Sequence, residues 1–155
     1  MSGTIQLHVT SNGNALRGDG PDGAIECLGF DSGVTTARES RQGLVTGRRT
    51  YATIIARKRV DRASPLLLRA LTENQAIEAR FDFLRPEAPA VSSAVFYTVR
   101  IVEARLVSVR QYLAEPAPGA RTVVSTPMEE VGFEFRRITW THVESGLEHQ
   151  DSVSS

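Results

Sequence analysis

The sequence predicts a mainly β fold: an antiparallel β-barrel or two-sheet sandwich with one short flanking α-helix. Three observations carry that expectation. Apolar and polar residues alternate along most of the chain, the period of a half-buried strand. Clusters of Gly, Pro, Asn and Ser interrupt these runs at short intervals. One stretch, "ASPLLLRALTENQAI" (Ala63–Ile77), breaks the alternation with three consecutive leucines.

Taken in order, Ile5, Leu7 and Val9 alternate with Thr4, Gln6, His8 and Thr10, a first strand. "SNGN" turns the chain, and "RGDGPDG" (Arg17–Gly23) reads as a mobile glycine-rich loop. Ala24–Phe30 is a second strand. Thr36–Arg49, "TARESRQGLVTGRR", reads as a long polar loop, and structureless loops beyond about 12–15 residues are usually functional or disordered. "TYATIIARKRV" (Thr50–Val60) is a third strand. In the leucine stretch Ser64 suits an N-cap and Pro65 a first helical position. A helix from there to about Thr72 is roughly 12 Å long, too short to be stable alone. It must lie against the barrel through Leu67 and Leu71, widened by Leu66 and Ala70, plugging an end or covering an edge.

Ile77, Ala79, Phe81 and Phe83 mark the next strand, and "RPEAPAVSS" turns it back. Val95–Arg110 is a long strand whose parity switches. Val95, Tyr97, Val99 and Ile101 point one way, then Val102, Ala104 and Leu106 take over, which requires a bulge or bend. Glu115–Pro127, with three prolines and a glycine, is a surface connection. The last strand switches parity too, from Val131, Phe133 and Phe135 to Ile138 and Trp140. Some six strands, two of them bent, suit a sandwich or barrel.

The chain has 155 residues and reads as one domain spanning 1–155. Such a domain buries about 68–70% of its unfolded surface and needs no staples. The single cysteine, Cys27, excludes an intramolecular disulfide. Acidic and basic residues number 18 each, so the net charge is zero and the basic surplus of nucleic-acid binders is missing. Of the 18 basic residues 17 are arginine, a residue suited to forked interface contacts. No apolar run approaches the ~20 residues of a membrane helix, and Met1–Thr10 lacks the features of a secretory signal.

A search for chemistry finds no catalytic, cofactor or metal residues. His8, His142 and His149 lack tight ligand spacing and read as solvated or structural. Cys27 reads as a small buried hydrophobe. "RGDG" does not link a strand to a helix, as a phosphate loop would. The carboxylates of "MEE" (Met128–Glu130) and "ESGLE" read as exposed charge at strand ends, and Trp140 as core. That outcome favours binding or assembly over an enzyme.

Three ordered segments then carry a resemblance. "TGRRTYATIIARKRVDRASPLLLRAL" (Thr46–Leu71), "FYTVRIVEARLVSV" (Phe96–Val109) and "MEEVGFEFRRITWTHVESG" (Met128–Gly146) resemble the haemolysin-coregulated protein (Hcp) family, the inner-tube subunit of the type VI secretion system. The likeness runs from about Ile25 to Asp151, with residues 1–24 and 147–155 matching weakly. "NALRGDG" stands where the family has a Gly-Glu-Ser turn, and "HQDSVSS" lacks the tryptophan that follows the family's tail aspartate. The resemblance implies a small barrel of two sheets with one flanking helix. It implies six subunits closing into a ring, rings stacking into a tube, and sheath, spike and effector proteins as partners. It implies no catalysis and no cofactor, and export from the cytoplasm by the machine itself without a signal peptide. It places Thr36–Arg49 as an assembly arm reaching neighbouring subunits. There Leu44 and Val45 would be buried against the next subunit, and Arg48 and Arg49 would pair with its carboxylates. The alternatives are a tube protein of a related contractile injection system and a ligand-binding barrel of the lipocalin sort.

Overall fold

The computed structural model describes residues 5–38, 45–86, 94–115, 118–119 and 125–153. The strands are β1 (Ile5–Ser11), β2 (Asn14–Leu16), β3 (Ile25–Asp31), β4 (Val34–Arg38), β5 (Val45–Tyr51), β6 (Ile54–Arg59), β7 (Ile77–Leu84), β8 (Val95–Ala114), β9 (Thr126–Glu134), β10 (Arg137–His142) and β11 (Leu147–Ser152). The helix α1 (Ser64–Thr72) stands between β6 and β7.

Among the described residues every pairing is antiparallel. β8 pairs β7, β7 pairs β1, β1 pairs β3, β3 pairs β6, β6 pairs β9, and β9 returns to β8. These strands therefore close on themselves as a barrel, which removes their edges. β10 and β11 extend the sheet from the first half of β8. β9 and β10 lie along one line of β8. The register runs from Arg105 opposite Glu134 to Val102 opposite Arg137, so one side of β8 is covered almost end to end.

The parity switch read in β8 is a bulge. Ile77 faces Ala104 but Ala79 faces Ile101, and Glu103 takes the left-handed conformation with φ 50°. The extra residue turns the side chains over, so Val99 and Ile101 before it and Ala104 and Leu106 after it all enter the core. A second register shift falls between Leu106 and Ser108.

The interior is packed with side chains. Leu7, Ile25, Phe81, Ile101 and Phe133 are fully buried. Phe81 meets Phe133 edge-on at 5.5 Å and Phe30 at 4.9 Å, arrangements that aromatic quadrupoles favour. α1 packs against β8 and contributes Leu67 and Ala70 to the core. Both sides of β8 are paired, so the helix covers no strand edge there and instead adds its apolar face to the core.

Several expectations need correction. The third strand is broken at Ala52–Thr53, so Tyr51 ends one strand and Ile54 begins another. Thr36–Arg49 is not a plain loop. β4 and β5 form a two-stranded ladder from Val34 opposite Tyr51 to Arg38 opposite Val45. Arg17–Gly23 is a hydrogen-bonded turn in which Gly18 N–H donates to Gly23 O at 2.9 Å. A Cβ on Gly18 would stand 2.7 Å from Ala24 O, so glycine is required there by close approach. β11 continues the sheet where the sequence suggests only a tail, because an exposed strand has no alternation to reveal it. Ser64 is not the N-cap; that position is Ala63, and the Ser64 hydroxyl turns inward.

Leu67 is fully buried whereas Leu71 is only partly so. Leu67→Ala is expected to cost about 2–5 kcal/mol, as buried leucine truncations do, and Leu71→Ala clearly less. Urea unfolding of both variants, compared with the parent, checks the order.

Candidate assembly surface

Two side-chain clusters stand out among the described residues. The first is buried. β6 alternates core and surface, and Ile54, Ala56 and Lys58 all face inward. Lys58 is the chain's only lysine, and it is fully buried. Its ammonium has three donors, and three acceptors meet them. Lys58 Nζ donates to Asp61 Oδ1 at 2.9 Å, to Ser64 Oγ at 3.3 Å, and to Glu129 Oε1 in a close ion pair. Ser64 Oγ donates to Glu129 Oε1 at 2.7 Å and accepts from Asp61 N–H at 2.9 Å. Gln111 Nε2 donates to Glu129 Oε2 at 3.0 Å. The cluster therefore ties α1, β6, β8 and β9 together, with each of its charges met by hydrogen-bond partners.

Glu129 corrects the reading of exposed charge at a strand end, because it is wholly buried. Its neighbour Glu130 points outward to Arg57 and Arg110, each at 3.1 Å. Burial pushes the Glu129 carboxyl up, but hydrogen bonds from Lys58, Ser64 and Gln111, with the Lys58 charge, hold it below its ordinary value.

The second cluster lies where the β4–β5 hairpin leaves the barrel. β4 and β5 pair with each other and, among the described residues, with no strand of the barrel. At their base Ala52 N–H donates to Gly33 O at 2.9 Å. The Tyr51 ring meets Phe135 edge-on at 5.4 Å and stacks over Trp140 at 6.4 Å, 21° from parallel. Trp140 in turn stacks on His149, its cross-strand neighbour, at 5.8 Å and 7°. Arg49 forks onto Asp151, with Nε at 2.8 Å and Nη2 at 3.1 Å, and the Tyr51 hydroxyl donates to the same carboxylate. An open pocket of about 190 Å³ lies beneath, lined by Val34, Tyr51, Ile54, Phe135, Ile138 and Trp140 among others.

A family model described as "Type VI secretion system effector, Hcp" matches residues 9–142. The chain belongs to the Hcp family. The "Major exported protein" of Pseudomonas aeruginosa is 32% identical over 164 residues, covering 100% of this chain and 93% of that protein. The fold is that of solved Hcp structures. A double variant of the Hcp1 protein from E. coli EAEC 042 pathovar superposes with a TM-score of 0.81 at 19% identity, covering 97% of this chain and 99% of that one. The secreted protein Hcp3 from Pseudomonas aeruginosa gives a TM-score of 0.70 at 22% identity, covering 96% and 98%. Membership places the chain among the secreted tube proteins of the type VI machine, which is not a known enzyme family.

Of the four assembly residues read from sequence, Arg48 and Arg49 stand on β5, with Arg48 exposed. Leu44 lies outside the described residues, as does the side chain of Val45. Arg49 engages Asp151 of its own chain. The histidines are separate. His8 Nε2 lies 3.5 Å from Asp82, His142 Nδ1 shares a 2.8 Å hydrogen bond with Ser145 Oγ, and His149 stacks on Trp140. Cys27 is buried, which pushes its thiol up to about 12 against a smaller opposing pull from Lys58. Among the described residues, no helix is long and apolar enough to cross a membrane.

The buried cluster predicts its own energetics. Removing one partner leaves an uncompensated buried charge, so Lys58→Met or Glu129→Leu alone should cost about 3–5 kcal/mol, and the double variant should recover much of that. Lys58→Arg should also destabilise, because a planar fork cannot replace a compact ammonium among three acceptors. A carboxyl held low in the folded state contributes stability above its unfolded value and loses it as pH falls through the folded one. The deficit of Glu129→Gln should therefore be greatest near neutral pH and shrink in acid. Urea titrations of monomeric protein across that range measure it.

Proposed function

We propose that the chain is a structural subunit of the inner tube of a type VI secretion system. Six copies close into a ring, and rings stack into a tube that delivers effectors. The observation that carries this reading is the β4–β5 hairpin. On a closed barrel of Hcp fold, it projects as a pair of strands with no partner among the described strands of the barrel. A two-stranded hairpin is marginal by itself, and burial against a neighbouring copy would supply what it lacks. The zero net charge leaves little long-range repulsion between copies. The lipocalin alternative is disfavoured by the packed interior, where Leu7, Phe81, Ile101 and Phe133 occupy the space a ligand would need. In this reading the sheath, spike and effectors are partners, and the machine exports the subunit from the cytoplasm.

Light scattering on a sizing column should give a hexameric mass at tens of micromolar, and negative-stain images should show rings. A strictly monomeric protein would contradict the proposal. Leu44 and Val45 are the adjacent apolar pair of the arm sequence. In the tube reading, replacing both with aspartate puts two charges into an apolar contact, at a cost of several kcal/mol. That variant should keep its circular dichroism and lose rings, tubes or export.

A further inference from the structure

We propose that Arg49, Tyr51 and Asp151 form a latch that fixes the direction in which the β4–β5 arm leaves the barrel, and so prepares the subunit for stacking. The second half of this statement rests on the tube reading above.

The hairpin is joined to the barrel through Asp31–Val34 on one side and Tyr51–Ile54 on the other. Its ladder does not continue into the barrel sheet, so ladder hydrogen bonds do not set its angle. Side chains at its base must do so. The Tyr51 ring is held between Phe135 and Trp140, which grips one point. A single gripped point still allows the arm to swing. Arg49 supplies a second point two residues further out, on the same face of β5. Its two parallel hydrogen bonds to Asp151 fix both distance and orientation, as a fork on a carboxylate does.

Asp151 is itself held firmly. It stands opposite Ile138, whose side chain is buried in the core. Two residues before it, His149 lies flat on Trp140. β11 is otherwise an exposed strand on the outer edge of the sheet, and the latch gives it a task. The Tyr51 hydrogen bond, with the Arg49 charge, holds the Asp151 carboxyl below its ordinary value. Burial and that same hydrogen bond push the Tyr51 phenol up to about 12. The carboxylate and the phenol therefore keep the charge states the latch requires across the neutral range.

A pair of spin labels reads the arm directly. Thr36→Cys on β4 and Glu73→Cys beyond α1 place labels on the arm and the barrel, while the fully buried Cys27 thiol stays unlabelled. Asp151→Ala, and separately Arg49→Lys, which keeps charge but not the fork, are compared with the parent by pulsed dipolar spectroscopy. The distance distribution should broaden in Asp151→Ala, as expected of a segment freed to move locally, with circular dichroism unchanged. Negative-stain images should then show rings retained but stacked tubes lost. An unbroadened distribution in both variants would overturn the latch, whatever happens to assembly. Broadening with tubes intact would overturn its role in stacking. A parent that forms no rings would refute the tube reading instead, and the distance measurement would still decide the latch.

Discussion

A buried ammonium is costly unless every donor is matched, and that constraint organises this molecule. Lys58 is met by Asp61, Ser64 and Glu129, and Glu129 is completed by Gln111. These residues come from β6, the turn after it, α1, β9 and β8. The geometry satisfies the charge only when the helix is docked and the β6–β9–β8 seam is closed. The cluster thus couples two events that hydrophobic burial alone would leave independent. It also explains why lysine stands here in a chain that otherwise uses arginine.

Closure of the barrel has a functional corollary. The closed strands offer no edge for another chain to extend, so in the proposed tube contacts between copies would fall to the β10–β11 extension and to the β4–β5 hairpin. The β4–β5 hairpin projects, and its base is where Tyr51, Trp140, Phe135 and the Arg49–Asp151 pair converge. In the proposed tube, the packed barrel and the arm it holds would together present a defined surface to neighbouring copies.

What is legible in the sequence follows burial. β1, β7 and β8 declare themselves because one face of each enters the core, and the parity switch at Val102 marks the bulge at Glu103. The helix is visible because Leu67 interrupts the alternation. The β4–β5 ladder and β11 escape a periodicity reading because their described faces are largely exposed, so no period marks them. Glu129 reads as exposed because carboxylates usually are. Its burial depends on a lysine 71 residues away, although the inward parity of a lone lysine after Ile54 and Ala56 is a signal. Arg49 stands out in the sequence, but its partner Asp151 lies 102 residues distant, inside an atypical tail. Pairings of that separation are set by the overall strand topology, not by any local pattern.

If the Lys58 cluster couples the helix to the seam, α1 cannot open without the barrel. Native-state hydrogen exchange tests this most directly. The amides of Leu67, and of Glu73 and Asn74 at the far end of α1, all hydrogen-bonded to the helix backbone, should exchange with the same opening free energy as those of Val131 and Phe133 in β9. Equal values, falling together in denaturant, are the result the account predicts. Helix amides that exchange through a separate opening of lower free energy, while β9 stays protected, would contradict it.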